Sequence, residues 1–133
     1  MLRHRRTVLV TAAAAAFAAA VSGGSSTFAA SAPIRIGAPL PLTGALSPEG
    51  LKLQQGYELW KDAVNAKGGI AVGGDKRPVE ILYYDYQSAT PKAVQLAEKL
   101  ATDDKVDFMF APFGSGASKA ASTVAERYGI PML

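Results

Sequence analysis

Ser115 stands between two glycines in Phe113-Gly114-Ser115-Gly116-Ala117. A serine so flanked, where a strand hands over to a helix, suits either a nucleophile or a hydrogen-bond donor. The hydrolase elbow places glycine two residues before and two after its serine; here those positions hold Phe113 and Ala117. A base is also missing. The one histidine, His4, lies in an N-terminal leader, and the chain has no cysteine. Ser–His and Cys–His schemes, and most zinc or iron sites, are thereby removed from the rest of the chain. Two readings stay open on spacing alone. In one, the Ser115 hydroxyl and nearby backbone N–H groups, with Gly114, Gly116 and Ser118 around them, face an anion at a helix N-terminus. In the other, Ser115 or Ser118 is a simple helix cap.

The remaining candidates are polar residues near predicted strand ends. Thr43 follows the first strand, and Glu49 falls in the first turn of the first helix, where a carboxylate complements the helix dipole or could meet a ligand ammonium group. Asp85 ends a strand, the usual place of a cap or loop-ordering residue. Asp103 and Asp104 sit at a helix end and read as solvent-facing turn residues. The glycines form no nucleotide motif: Gly37 to Gly44 lacks G-x-G-x-x-G, and Gly68 to Gly74 follows a helix and carries no G-K-[ST].

The leader explains the charge. Arg3, Arg5 and Arg6 precede an apolar stretch from Val8 to Val21, which Gly23-Gly24-Ser25-Ser26 then breaks. Such a segment is an export signal, and its apolar core is shorter than the roughly 20 residues of a membrane span. An uncleaved anchor is the rival reading. Cleavage after Ala29 is favoured over Ala32, which would set Pro33 beside the scissile bond. Residues 1–29 are thus expected to be a secretory signal peptide, and the protein to work outside the cytoplasm. Of 14 basic residues three lie ahead of Thr7, which leaves 11 to balance 11 acidic ones. The mature segment is neutral and points to no nucleic-acid partner.

The elements that must position these residues alternate. Ile34 to Pro39 reads as a strand, and Ser47-Pro48 as an N-cap followed by proline at the first helical position. Leu53, Tyr57, Trp60 and Val64 recur at helical spacing, and Gly68-Gly69 stop the helix. Ile70 to Arg77 reads as a glycine-bearing turn. Val79 to Tyr84 is a second strand, and Thr90-Pro91 opens a helix with Val94, Ala97 and Leu100 inward. Val106 to Ala111 has the apolar character of a central strand. The third helix carries Ala117, Ala120, Ala121, Val124, Ala125 and Tyr128 on its inner stripe, and Ile130 to Leu133 begins a fourth strand. This alternation predicts an α/β fold: an open parallel sheet with helices on both faces. Ligands of such sheets sit at the carboxyl ends of the strands, where Thr43, Gly44, Gln87, Ser88, Gly114, Ser115, Gly116 and Ser118 gather.

Ile36 to Gly44, Gly56, Asn65 to Ile70, Tyr84-Asp85 and Val124 to Pro131 follow one another in an order that resembles the start of a type I periplasmic solute-binding protein of the leucine/isoleucine/valine-binding kind. The resemblance covers nearly all of the chain after the leader and implies that residues 30–133 are an incomplete N-terminal lobe. It further implies a periplasmic or otherwise extracytoplasmic protein, without cofactor or metal and not an enzyme. Such a protein would hold an amino acid or similar small polar solute between two lobes and deliver it to an ABC transporter permease, its only link to the membrane. Ser115 matches the family's serine that hydrogen-bonds the ligand carboxylate, Thr43 lies in the matching first loop, and Glu49 falls where amino-acid binders often carry an aromatic that covers the ligand. The disulfide of some members is absent. A secreted serine hydrolase with Ser115 as nucleophile, and the extracellular sensing part of a receptor, are the rival readings.

Overall fold

The computed structural model describes residues 32–133; the expected signal peptide lies outside them. Strand β1 (Ile34–Leu40) lies at the centre of a parallel sheet, with α1 (Ser47–Asn65) following it. Next come the short strands β2 (Ile70–Val72) and β3 (Asp75–Arg77), then β4 (Val79–Asp85), α2 (Thr90–Thr102), β5 (Phe108–Met109) and α3 (Ser115–Tyr128). The sheet order is β4-β1-β5, with Ile34 opposite Val79 and Ile36 opposite Phe108. Met109 also bridges in parallel to Met132, so the terminal segment enters as a fourth strand, as expected.

Side chains alternate along each strand, so one sequence supplies two cores. Ile34, Ile36 and Val79 pack with Ile81, Phe108 and Phe110 against Val64 of α1. On the other face, Met109 and Val106 pack with Leu82 and Tyr84 against Ala97 and Leu100 of α2 and Ala121 and Val124 of α3. Burial of a leucine such as Leu100, which is 0% exposed, contributes about 1.5–3 kcal/mol. Tyr57 stacks on Phe110 with ring centroids 4.1 Å apart and Trp60 meets that ring edge-on at 6.3 Å. The aromatic stripe of α1 is packing, as its spacing suggests.

Five local expectations are corrected. Ile70 to Arg77 is an antiparallel hairpin with Gly73-Gly74 as its turn; its three-residue arms are too short to show alternation in sequence. Helix α1 has Leu46, not Ser47, at its N-cap, with no side-chain cap; instead the Leu46 N–H donates to Ser88 Oγ at 3.0 Å. The third strand's ladder is shorter than Val106 to Ala111, with Asp107 N–H donating to Arg35 and Phe110 N–H to Gly37. Tyr128 is exposed rather than inward, and its hydroxyl donates to Glu98 at 2.6 Å. Asp104, read as solvent-facing, is half-buried and lies 3.4 Å from Lys99.

Helix α1 leaves the sheet through a close approach at Gly50, where a Cβ would lie 2.2 Å from the Pro41 carbonyl oxygen. Gly56, two turns on, has nothing within 4 Å of the same position. Gly50→Ala should therefore destabilise the chain by about 1–3 kcal/mol, whereas Gly56→Ala should stabilise it by about 0.8–1 kcal/mol through helix propensity. Chemical denaturation of the two variants beside the parent is expected to give shifts of opposite sign.

Candidate functional site

Three loops leave the carboxyl edge of the sheet, one after each of β1, β4 and β5, and hydrogen bonds lace them together. Asp85, the last residue of β4, aligns with Leu40, the last of β1. Its carboxylate accepts from Leu42 N–H at 2.9 Å, Thr43 N–H at 3.2 Å, Thr43 Oγ1–H at 2.6 Å and Gln87 N–H at 2.8 Å. Burial acts to raise the pKa of Asp85, but these donors outweigh it and hold the carboxyl below its ordinary range. Ser88 adds a second tie by donating to Thr43 O at 2.9 Å while accepting from Leu46 N–H. Tyr86 connects the third loop, its hydroxyl donating to Phe113 O at 2.6 Å.

The third loop delivers the chain to α3. Gly114 occupies the N-cap with φ 94° and ψ 131°, a backbone that a residue with a Cβ adopts only under strain. Ser115 is the first helical residue and is exposed, with Gly116 exposed beside it. The first N–H groups of a helix have no intrahelical acceptor and carry the positive end of its dipole. Gly114, Ser115 and Gly116 therefore offer a donor cluster to solvent. Neither serine caps the helix, because α3 begins without a side-chain cap. Ser118 turns inward, its hydroxyl donating to Pro112 O at 2.5 Å, so it braces the loop.

The other candidates sit on the same edge with their side chains engaged. Thr43 is tied by its hydroxyl to Asp85. Glu49, in the first turn of α1, lies 3.2 Å from Lys52 Nζ. Asp85 orders the loops as its strand-end position implied. What sequence reasoning missed is Tyr86, and the only signal was a third tyrosine just past the strand. An open apolar cavity of about 500 Å³ lies elsewhere, beneath the hairpin, lined among others by Ile36, Trp60, Val72, Phe108 and Leu133. Among the described residues no group of acidic or histidine side chains could hold a metal ion, and no helix is long and apolar enough to cross a membrane.

A parallel sheet between helix layers, with donors gathered at its carboxyl edge, is an open α/β architecture of the class whose ligands sit at that edge. Residues 33–133 match the family described as periplasmic binding protein, and the chain belongs to that family. It is 33% identical over 102 residues to Leu/Ile/Val-binding protein homolog 7 of Brucella abortus, covering 77% of this chain and 24% of that relative. Among solved structures it resembles the branched-chain amino acid transporter substrate-binding protein LivJ of Streptococcus pneumoniae in complex with isoleucine. That match has a TM-score of 0.69 and 34% identity, and covers 75% of this chain and 28% of the other. A solute-binding protein of an ABC transporter from R. palustris, in complex with benzoate, matches with a TM-score of 0.63 and 32% identity over 75% of this chain and 26% of its own. The chain thus spans about a quarter of the length of the relatives it matches.

Because Asp85 is held ionised in the fold, its contribution to stability is present above the ordinary carboxylate range and is lost as pH falls through its lowered folded value. Asp85→Asn, which turns one acceptor into a donor facing Thr43, should cost about 1–3 kcal/mol near neutrality. Urea denaturation of both proteins is expected to show this gap narrowing in acid, where the parent loses the same interaction.

Proposed function

We propose that this chain is part of an extracytoplasmic solute-binding protein that holds the carboxylate of a small solute at Ser115 and the first turn of α3, and passes that solute to an ABC transporter permease. The observation that carries the reading is the exposed Ser115 at an uncapped, outward-facing helix N-terminus on the carboxyl edge. An anion there meets backbone N–H groups, the helix dipole and a hydroxyl at once. The two related structures named above hold isoleucine and benzoate, ligands that share a carboxylate and little else. Amino acids are the first class to expect, given the Leu/Ile/Val-binding relative, and aromatic carboxylates the second. Glu49 already faces Lys52, so partners for an ammonium group are expected from a second lobe outside this chain.

A binding role also accords with the chemistry of the residues. Within residues 30–133 no histidine accompanies Ser115, and its glycines stand one residue away on each side instead of the two that a nucleophile elbow requires. In the full-length protein, Ser115→Ala should weaken the binding of L-isoleucine, L-leucine or benzoate by about 1–3 kcal/mol, the cost of a charged partner left short of a hydrogen bond. Titration calorimetry measures this. Unchanged affinity for a solute that the parent binds, or covalent labelling of Ser115 by a fluorophosphonate, would contradict the reading.

A further inference from the structure

The loop from Pro112 to Gly114 presents three consecutive carbonyls, and all three are satisfied from its inner side. Pro112 O accepts from Ser118 Oγ, Phe113 O from the Tyr86 hydroxyl, and Gly114 O from Ser118 N–H at 2.9 Å. A trans peptide points its carbonyl and its N–H in opposite directions. Carbonyls held inward therefore turn the following N–H groups outward, toward the place where a solute carboxylate would sit. Two of the three bonds come from the first turn of α3 itself and move with it. Only the Tyr86 bond comes from another element.

Tyr86 is well placed for that task. It is 1% exposed, packed with Ala93 of α2 and Ala117 of α3. Its N–H donates to Leu40 O at 3.0 Å, at the root of the first loop, and its carbonyl accepts from Ala89 N–H at 2.9 Å. One residue thus touches all three loops of the edge. Nothing lies within 4 Å of the position a Gly114 Cβ would take, so packing at that residue does not hold the loop. Burial pushes the Tyr86 hydroxyl pKa up, which keeps it a proton donor through the neutral range.

We propose that Tyr86 is a positioning residue for solute binding: its hydroxyl fixes the Phe113–Gly114 peptide against the rest of the carboxyl edge and so aims the donors of Gly114 to Gly116. The proposal rests on the reading of this edge as the solute site. Tyr86→Phe removes the hydroxyl and keeps the ring, so the variant folds and tests the bond itself. In the full-length protein, titration with L-isoleucine and with benzoate would compare the parent, Tyr86→Phe, Ser115→Ala and the double variant, with thermal unfolding recorded for each. Tyr86→Phe is expected to lose about tenfold in affinity, and the double variant to lose clearly less than the product of the two single losses, since both act through one loop. Affinity within twofold of the parent, or losses that multiply independently, would overturn the positioning role. A parent protein that binds neither probe would overturn the site reading itself, and the proposal with it.

Discussion

The Asp85 carboxylate accepts four hydrogens at the end of β4, three of them from the loop that follows β1. A sheet edge made of separate loops has no ladder to hold those loops in register, since backbone pairing stops where the strands stop. Something must replace it, and in this chain the replacement is polar. Asp85 and Ser88 fasten the first loop to the second, and Tyr86 fastens the second to the third. With no cysteine in the sequence, no disulfide can share the task. The consequence is a rim whose loops are tied to one another, and on the proposed reading its donors are set before a solute arrives, the arrangement that lowers the entropic cost of binding.

The sheet beneath makes that rim possible. β1 lies between β4 and β5, so all three loops start from adjacent strands that run the same way. Its two faces bury separate clusters, one under α1 and one under α2 and α3. At the end of α1 the Asn65 side chain both donates to Val79 O at 2.9 Å and accepts from Val79 N–H at 2.8 Å, setting where β4 begins and hence where Asp85 ends it. Local capping, strand register and rim geometry are in this way one chain of cause.

Much of this architecture was legible in the sequence, because its elements declare themselves locally. The Ala121/Val124/Ala125 stripe keeps the helical period, while Val79 to Tyr84 and the run around Met109 are short and largely apolar on both faces, as buried strands of a parallel sheet are. The position of Ser115 at a strand-to-helix junction followed from the same pattern. What stayed hidden depends on partners far away in sequence. The Leu46 N–H is met by Ser88, 42 residues on, so Ser47 gave a false cap signal. Tyr86 finds Phe113 across 27 residues, and no local pattern marks it. The hairpin of β2 and β3 failed for a different reason: its arms are too short for alternation to be seen. Tyr128 kept the helical period, yet at the last turn its hydroxyl reaches Glu98 instead of the core.

The central claim is that the laced carboxyl edge is the solute site, with Ser115 at its middle. A crystal structure of the full-length protein with L-isoleucine bound tests it most directly. The ligand carboxylate is expected about 3 Å from Ser115 Oγ and from the first N–H groups of α3, with the Asp85 and Tyr86 bonds kept. A carboxylate seated away from α3, or a rim whose three loops had come apart around the ligand, would contradict the account.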